Sequence, residues 1–198
     1  ATSPAVPVIP AGFSSQQLAE AWDRERVSWP VPPLIRHADV ETRLKEIRAA
    51  APDLFQLEQI GTSVEGRSIN HIWFGRGSFH VLLWSQMHGD EPTATSALFD
   101  VFEQFRRHRD EPAYALILDS LTIHAVPMLN PDGAERFQRR NAQGIDINRD
   151  ALRLQTPEGR ALKALRDRLD PALGFNLHNQ GWRTSAGKTG QPASISLL

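Results

Sequence analysis

The sequence predicts an α/β domain, a three-layer α/β/α sandwich around a mixed, largely parallel sheet. Apolar runs of strand length alternate with stretches of helical periodicity, the pattern of a sheet covered on both faces. Two of those runs, Phe79–Trp84 and Leu121–Leu129, are almost continuously apolar, as strands buried on both sides are. With 198 residues, 40% of them hydrophobic and 23% charged, the chain suits one cored domain better than two domains or a disordered segment.

Taken in order, residues 1–34 read as a Pro-rich arm with a short helix. Pro4, Pro7 and Pro10 block regular structure, Ser14 or Ser15 caps a helix through Ala21, and Pro30, Pro32 and Pro33 force a second extended stretch. The α/β domain is expected over 35–198. Asp39–Ala50 is a helix, with Val40, Leu44 and Ile47 on one face. Leu54–Ile60 and Ser68–Phe74 are strands separated by the turn-rich GTSVEGR, and Phe79–Trp84 follows Gly75-Arg76-Gly77. Pro92–Phe105 is helical, with Leu98, Val101, Phe102 and Phe105 at spacings of three and four. Leu121–Leu129 is a strand, Asn130-Pro131-Asp132-Gly133 a turn, Ala161–Leu169 a helix and Leu173–Leu177 a further strand.

Bulk properties exclude several classes of function. A formal charge of −1 gives no reason to expect nucleic acid or an anionic membrane as partner. The basic run Arg106–Arg109 falls where a helix ends, and there cations complement the dipole. With no cysteine, disulfides and thiol nucleophiles are ruled out, so a metal would be held by histidine and carboxylate. No apolar run reaches the roughly 20 residues that a membrane helix needs. A start at Ala1 ahead of the Pro-rich stretch fits a mature exported chain, periplasmic or secreted, and fits a trimmed start equally well.

His88, Asn130 and His178 each follow the carboxyl end of an expected strand, the edge at which ligands collect in such sheets. His88 and Glu91 stand three residues apart where a strand gives way to a helix. Two histidines and a glutamate are the ligand set of a catalytic zinc site that keeps one coordination position for water. Taken singly, these residues have plainer readings. Glu91 serves as a first-turn carboxylate ahead of Pro92, and His178 as a buried histidine with a backbone partner. His37, His71, His80, His108 and His124 have no partner at ligand spacing and read as structural or surface residues, His124 as buried. The stretch 130–150 tips the balance, because it gathers Arg139, Arg140, Asn141, Asp146, Asn148 and Arg149 into a short irregular segment suited to a carboxylate or an oxyanion.

Together, HGDE at 88–91, NPDG at 130–133, RRN at 139–141, GIDINR at 144–149 and NLH at 176–178 resemble the M14-type zinc carboxypeptidases. QIGTSVEGRSI at 59–69 is similar to the segment that precedes the metal motif in that family. The resemblance runs from about residue 35 to the end. It implies one Zn2+ per chain, held by His88, Glu91 and His178. It also implies that Arg140 polarises the scissile carbonyl, that Asn148 and Arg149 grip the substrate's terminal carboxylate, and that Asp146 orients the first histidine. The substrate would be a peptide with a free C-terminal carboxylate, cut at its last bond by metal-activated water.

Departures from the family bear on activity. The family's general base is a glutamate on a strand well beyond the last zinc histidine, whereas here no glutamate follows Glu158 and Tyr114 is the one tyrosine. The sheet is therefore expected to lack its C-terminal strands, with SISLL at 194–198 resembling the start of one, and a downstream segment or second chain is an expected partner. Asp90 stands where the digestive members carry a basic residue. Two other readings share the ligand pattern: a zinc-dependent deacylase or amidase acting on N-acyl amino acids or cell-wall peptides, and a non-catalytic zinc- or peptide-binding module.

Overall fold

The computed structural model describes residues 34–179 together with residues 16, 20, 23 and 24. Most of the N-terminal arm, with the helix expected from Ser14 or Ser15, and the strand start expected at 194–198 lie outside the described residues. From residue 34 the elements run α1 (His37–Ala50), β1 (Gln56–Thr62), β2 (Ser68–Gly75), β3 (Phe79–Ser85), α2 (Thr93–His108), α3 (Pro112–Ser120), β4 (Leu121–Val126), α4 (Pro131–Arg136), a 3-10 turn (Ile147–Arg149), α5 (Pro157–Leu169) and β5 (Leu173–Leu177).

The strands form one mixed sheet in the order β1-β2-β4-β3-β5. Parallel pairing joins β4 to β3 and β3 to β5, whereas β1–β2 and β2–β4 are antiparallel. Helices cover both faces, giving the three layers expected. On one face Val40, Leu44 and Ile47 of α1 and Leu98, Phe102 and Phe105 of α2 pack on Phe55, Ile72, Phe74 and Ala125. Phe55, Phe74 and Phe102 are fully buried and meet edge to face, their ring centroids 5.2–6.1 Å apart. On the other face Ala161 and Leu165 of α5 cover Ile69, Leu82, Val126, Leu129 and Ile147. Among the described residues β5 is the sheet's edge, with Leu173 and Phe175 close to half exposed.

The structure adds one element and corrects the sequence reading at two places. Residues 112–120, which the sequence reading left unassigned, form α3 with Pro112 in its first turn. Its AYALIL core is apolar on every side and so lacks the periodicity that marks a helix. NPDG is a helix start rather than a turn, since the Asn130 side chain accepts from Gly133 N at 2.9 Å and Pro131 opens α4. Helix α5 begins at Pro157, before the expected Ala161. Thr156 caps Gly159 N at 3.0 Å and is itself held by the Asp150 carboxylate at 2.7 and 2.8 Å.

Candidate metal centre

Strands β3, β4 and β5 run parallel, so their carboxyl ends meet at one edge. Beyond β3 the backbone turns sharply at Gln86, which takes a left-handed conformation (φ 47°). The Gln86 side chain fixes that turn, accepting from Thr95 Oγ1 at 2.9 Å and donating to Gly89 O at 3.0 Å. Asn130 ties the turn to its neighbours by donating to the carbonyls of Met87 and Arg139, both at 3.3 Å. Backbone passes directly over backbone here. A Cβ on Gly89 would lie 2.0 Å from the carbonyl carbon of Gly133.

This frame carries His88, only 2% exposed, and Glu91 one turn later. His88 Nδ1 lies 2.9 Å from Glu91 Oε1, and His178 Nδ1, just past β5, lies 2.7 Å from Glu91 Oε2. The two imidazoles stack with centroids 4.7 Å apart. One ligand atom from each of His88, Glu91 and His178 falls within 4.8 Å of the other two, so the three can hold a single metal ion. Burial raises the Glu91 pKa, but the bonds from His178 and His88 outweigh it and bring the carboxyl down to about 2.

Both rings are supported from behind by the turn at 146–149. Asp146 Oδ1 lies 3.2 Å from His88 Nε2, and the Asn148 amide nitrogen 3.4 Å from His178 Nε2. Asn148 is itself steadied by Asn176, whose amide donates to Asn148 Oδ1 at 3.3 Å. Asp146 can accept the Nε2 proton of His88 and so leaves its Nδ1 lone pair for a metal, the arrangement that metal-bound imidazoles require. The Asn148 amide nitrogen is itself a donor and positions the His178 ring without fixing that tautomer. Asp146 also caps the turn, accepting from Asn148 N at 3.0 Å. Burial works against its ionised form, but Arg139, His88 and the Asn148 amide prevail and hold its pKa below the usual carboxylate value.

Arg139 and Arg140 diverge. Arg139 binds Asp146 Oδ2 through Nε at 3.0 Å, and one of its terminal nitrogens lies 3.2 Å from His88 Nδ1. Arg140, expected in the site, instead donates to Gly144 O at 2.8 Å within its own loop. Neighbouring side chains on non-helical backbone leave in different directions, and only Arg139 leaves toward the histidines. The sequence holds the pair but no spacing that chooses between them. Arg149 is exposed at the rim and donates to Asn148 O at 3.1 Å. Glu158 and Tyr114 lie elsewhere. Glu158 is wholly buried under the loop, where it accepts from Asn141 and is pushed up by burial, and Tyr114 packs on Phe105 and His108.

A parallel-strand edge that gathers two histidines and a glutamate on an α/β/α scaffold makes a candidate metal centre. Residues 40–189 match the zinc carboxypeptidase family, Peptidase_M14, and the chain belongs to that family. It is 32% identical over 134 residues to carboxypeptidase E of Caenorhabditis elegans, covering 57% of this chain and 28% of that protein. It is 28% identical to mouse carboxypeptidase M over 127 residues, 56% of this chain and 29% of the relative. The chain thus spans less than a third of these relatives' length. Among solved structures, a Pseudomonas aeruginosa metallo-carboxypeptidase superimposes with a TM-score of 0.61 at 26% identity, over 70% of this chain and 39% of that one. A Helicoverpa armigera carboxypeptidase A shares the fold, with a TM-score of 0.63 at 18% identity over 84% and 54% of the two chains.

Proposed function

We propose that this chain carries the zinc-binding and substrate-orienting part of a carboxypeptidase that cuts the last bond of a peptide with a free C-terminal carboxylate. The observation that carries the reading is the convergence of His88 Nδ1, Glu91 and His178 Nδ1 on one point, with the far side of both rings engaged. Zinc held there supplies Lewis acidity and lowers the pKa of a bound water toward about 7.

The protein's own groups divide the remaining work. Asp146 holds His88 in the tautomer with the proton on Nε2. Asn148 steadies His178, an engagement that draws its amide toward the ring and away from the carboxylate grip assigned from the family resemblance. We assign the carbonyl-orienting role to Arg139 rather than Arg140, because its guanidinium is the one at His88. Arg149, exposed at the rim, is the group available for a bidentate grip on the substrate's carboxylate, which sets the register of cleavage. Neither Glu158 nor Tyr114 is placed to take a proton from water at this centre, so in this reading the general base comes from outside the described residues.

Zinc titration of the metal-free chain tests the assignment. Wild-type protein binds about one zinc per chain, and His88→Ala and His178→Ala each abolish tight binding. Undiminished stoichiometry in the double variant would remove the basis of the reading.

A further inference from the structure

Three histidines that take no part in the metal centre lie side by side across the middle of the sheet. His71 of β2 meets His124 of β4 through Nε2 and Nδ1 at 3.0 Å, and His124 Nε2 meets His80 Nδ1 of β3 at 2.9 Å. The rings stack in file, with centroids 5.1 Å apart at both steps. At the β1 end His71 Nδ1 lies 2.9 Å from Glu58 Oε1, and Glu58 is also bound by Arg168 of α5. His71 and His124 are 2% and 3% exposed.

Counting protons along this file gives a definite capacity. Glu58 accepts, so His71 donates from Nδ1 and its Nε2 is an acceptor. His124 then donates from Nδ1 and accepts at Nε2, and His80 donates from Nδ1. With all three rings neutral every contact is satisfied, and His80 Nε2 is the one nitrogen outside the ladder. A first extra proton goes there and leaves every bond intact. A second sets two N–H groups against each other at 2.9 or 3.0 Å, or neutralises Glu58.

We propose that the Glu58–His71–His124–His80 ladder is an acid-sensitive latch across β1, β2, β4 and β3, which takes up one proton undisturbed and is broken by the next. The charged and titratable groups facing it are Glu58 from β1, Arg168 from α5 and the three rings themselves; β5 contributes none. The electrostatics agree with this count. Burial, followed by the charges of His71, His80 and Arg168, brings the His124 pKa down to about 3, and burial outweighs Glu58 in lowering that of His71. Burial also opposes ionisation of Glu58, but its bonds from His71 and Arg168 keep its pKa low.

The sign follows from linkage. In the unfolded chain each of these histidines binds a proton near pH 6.5, so three protons are bound there and one in the folded ladder. Stability from the ladder is complete above pH 6.5 and falls as the pH drops below it. Two extra protons in the unfolded chain steepen the unfolding constant by up to roughly 100-fold per pH unit.

Histidine NMR titration of the folded chain, held metal-free, tests the count directly. Between pH 8 and 5 the three ladder rings together take up no more than one proton. Three independent titrations near pH 6.5 would overturn the latch. In a second measurement, His71→Gln and His80→Asn together preserve both of His124's partners but leave one titrating ring. The unfolding constant of the wild type then rises about 10-fold more per pH unit than that of the variant, and equal slopes would overturn the proposal. Where the variant fails to fold, the wild-type titration decides alone.

Discussion

Strand β3 has a histidine cluster at each end. His80, its second residue, belongs to the ladder, and His88, just past its last residue, belongs to the metal centre. Seven residues lie between them, of which Val81–Ser85 continue the strand and rise about 17 Å before the turn at Gln86. Both clusters combine imidazoles with one glutamate, yet they are opposites in geometry. In the ladder both nitrogens of His124 are used by neighbouring rings, so the donors form a line and no two lone pairs point to a common place. At the metal centre Asp146 and Asn148 occupy the distal nitrogens, and the two proximal ones converge on Glu91. At His88 the carboxylate on the far side is what leaves the near nitrogen for a metal.

The greatest loss is expected at Gly89, in the turn that follows β3 beside the metal centre. An added Cβ would lie 2.0 Å from Gly133 C and 2.3 Å from Ala134 N, backbone atoms that cannot swing aside. Gly89→Ala should therefore cost at least about 3 kcal/mol, the upper part of the overpacking range, and abolish tight zinc binding. The proton uptake of the ladder should be unchanged wherever the variant remains folded. Denaturant unfolding with zinc titration measures the first pair of effects, and histidine NMR the third. Zinc binding at wild-type strength in Gly89→Ala would show that the centre does not depend on this close crossing.

Asp132 ranks next. It is fully buried and accepts from Ser63 Oγ at 2.7 Å, Glu65 N at 3.0 Å and an Arg67 terminal nitrogen at 2.7 Å, which joins the β1–β2 turn to α4 behind the metal centre. Asp132→Ala strands those donors, and since Arg67 is partly solvated the cost belongs near 3 kcal/mol, the lower end for a broken buried pair. The urea midpoint should fall with little change in slope. A midpoint within error of wild type would mean that the network adds nothing to stability.

The same contrast shows what the sequence disclosed. Strands Phe79–Trp84 and Leu173–Leu177 were legible as short apolar runs between turn signals, and the amphipathic faces of α1 and α2 because burial leaves a period. The candidate metal ligands were legible because His88 and Glu91 share a turn and His178 ends a strand. Helix α3 was hidden, since AYALIL has no polar face to set a period. The ladder was hidden for a different reason. His71, His80 and His124 are spread over three strands, and only the register of β2, β4 and β3 brings them into file. The choice between Arg139 and Arg140 was likewise out of reach, because a loop has no period and the side-chain directions depend on which carbonyls are held.

That choice yields the smallest predicted difference. Arg140 is exposed and bonds only within its own loop, so Arg140→Ala should stay within about 0.5 kcal/mol of wild type in stability and leave the centre unchanged. Arg139 is bonded to Asp146 and borders His88, so Arg139→Ala removes a cation from the place where a substrate carbonyl would lie. In zinc-loaded chain, binding of an N-acyl amino acid should weaken roughly 10-fold in Arg139→Ala, the loss of one charge-assisted bond at about 1.5 kcal/mol, and remain as it is in Arg140→Ala. Calorimetry on the two variants separates the alternatives, and the reverse pattern would return the role to Arg140. The result also bears on the wider contrast, because among the described residues Arg139 is the cation bonded to a metal-centre ring, and Arg168 the one bonded to Glu58 at the β1 end of the ladder. At the ladder the cation binds the carboxylate and leaves the rings to one another, whereas at the metal centre it reaches past Asp146 to the ring nitrogen that faces Glu91.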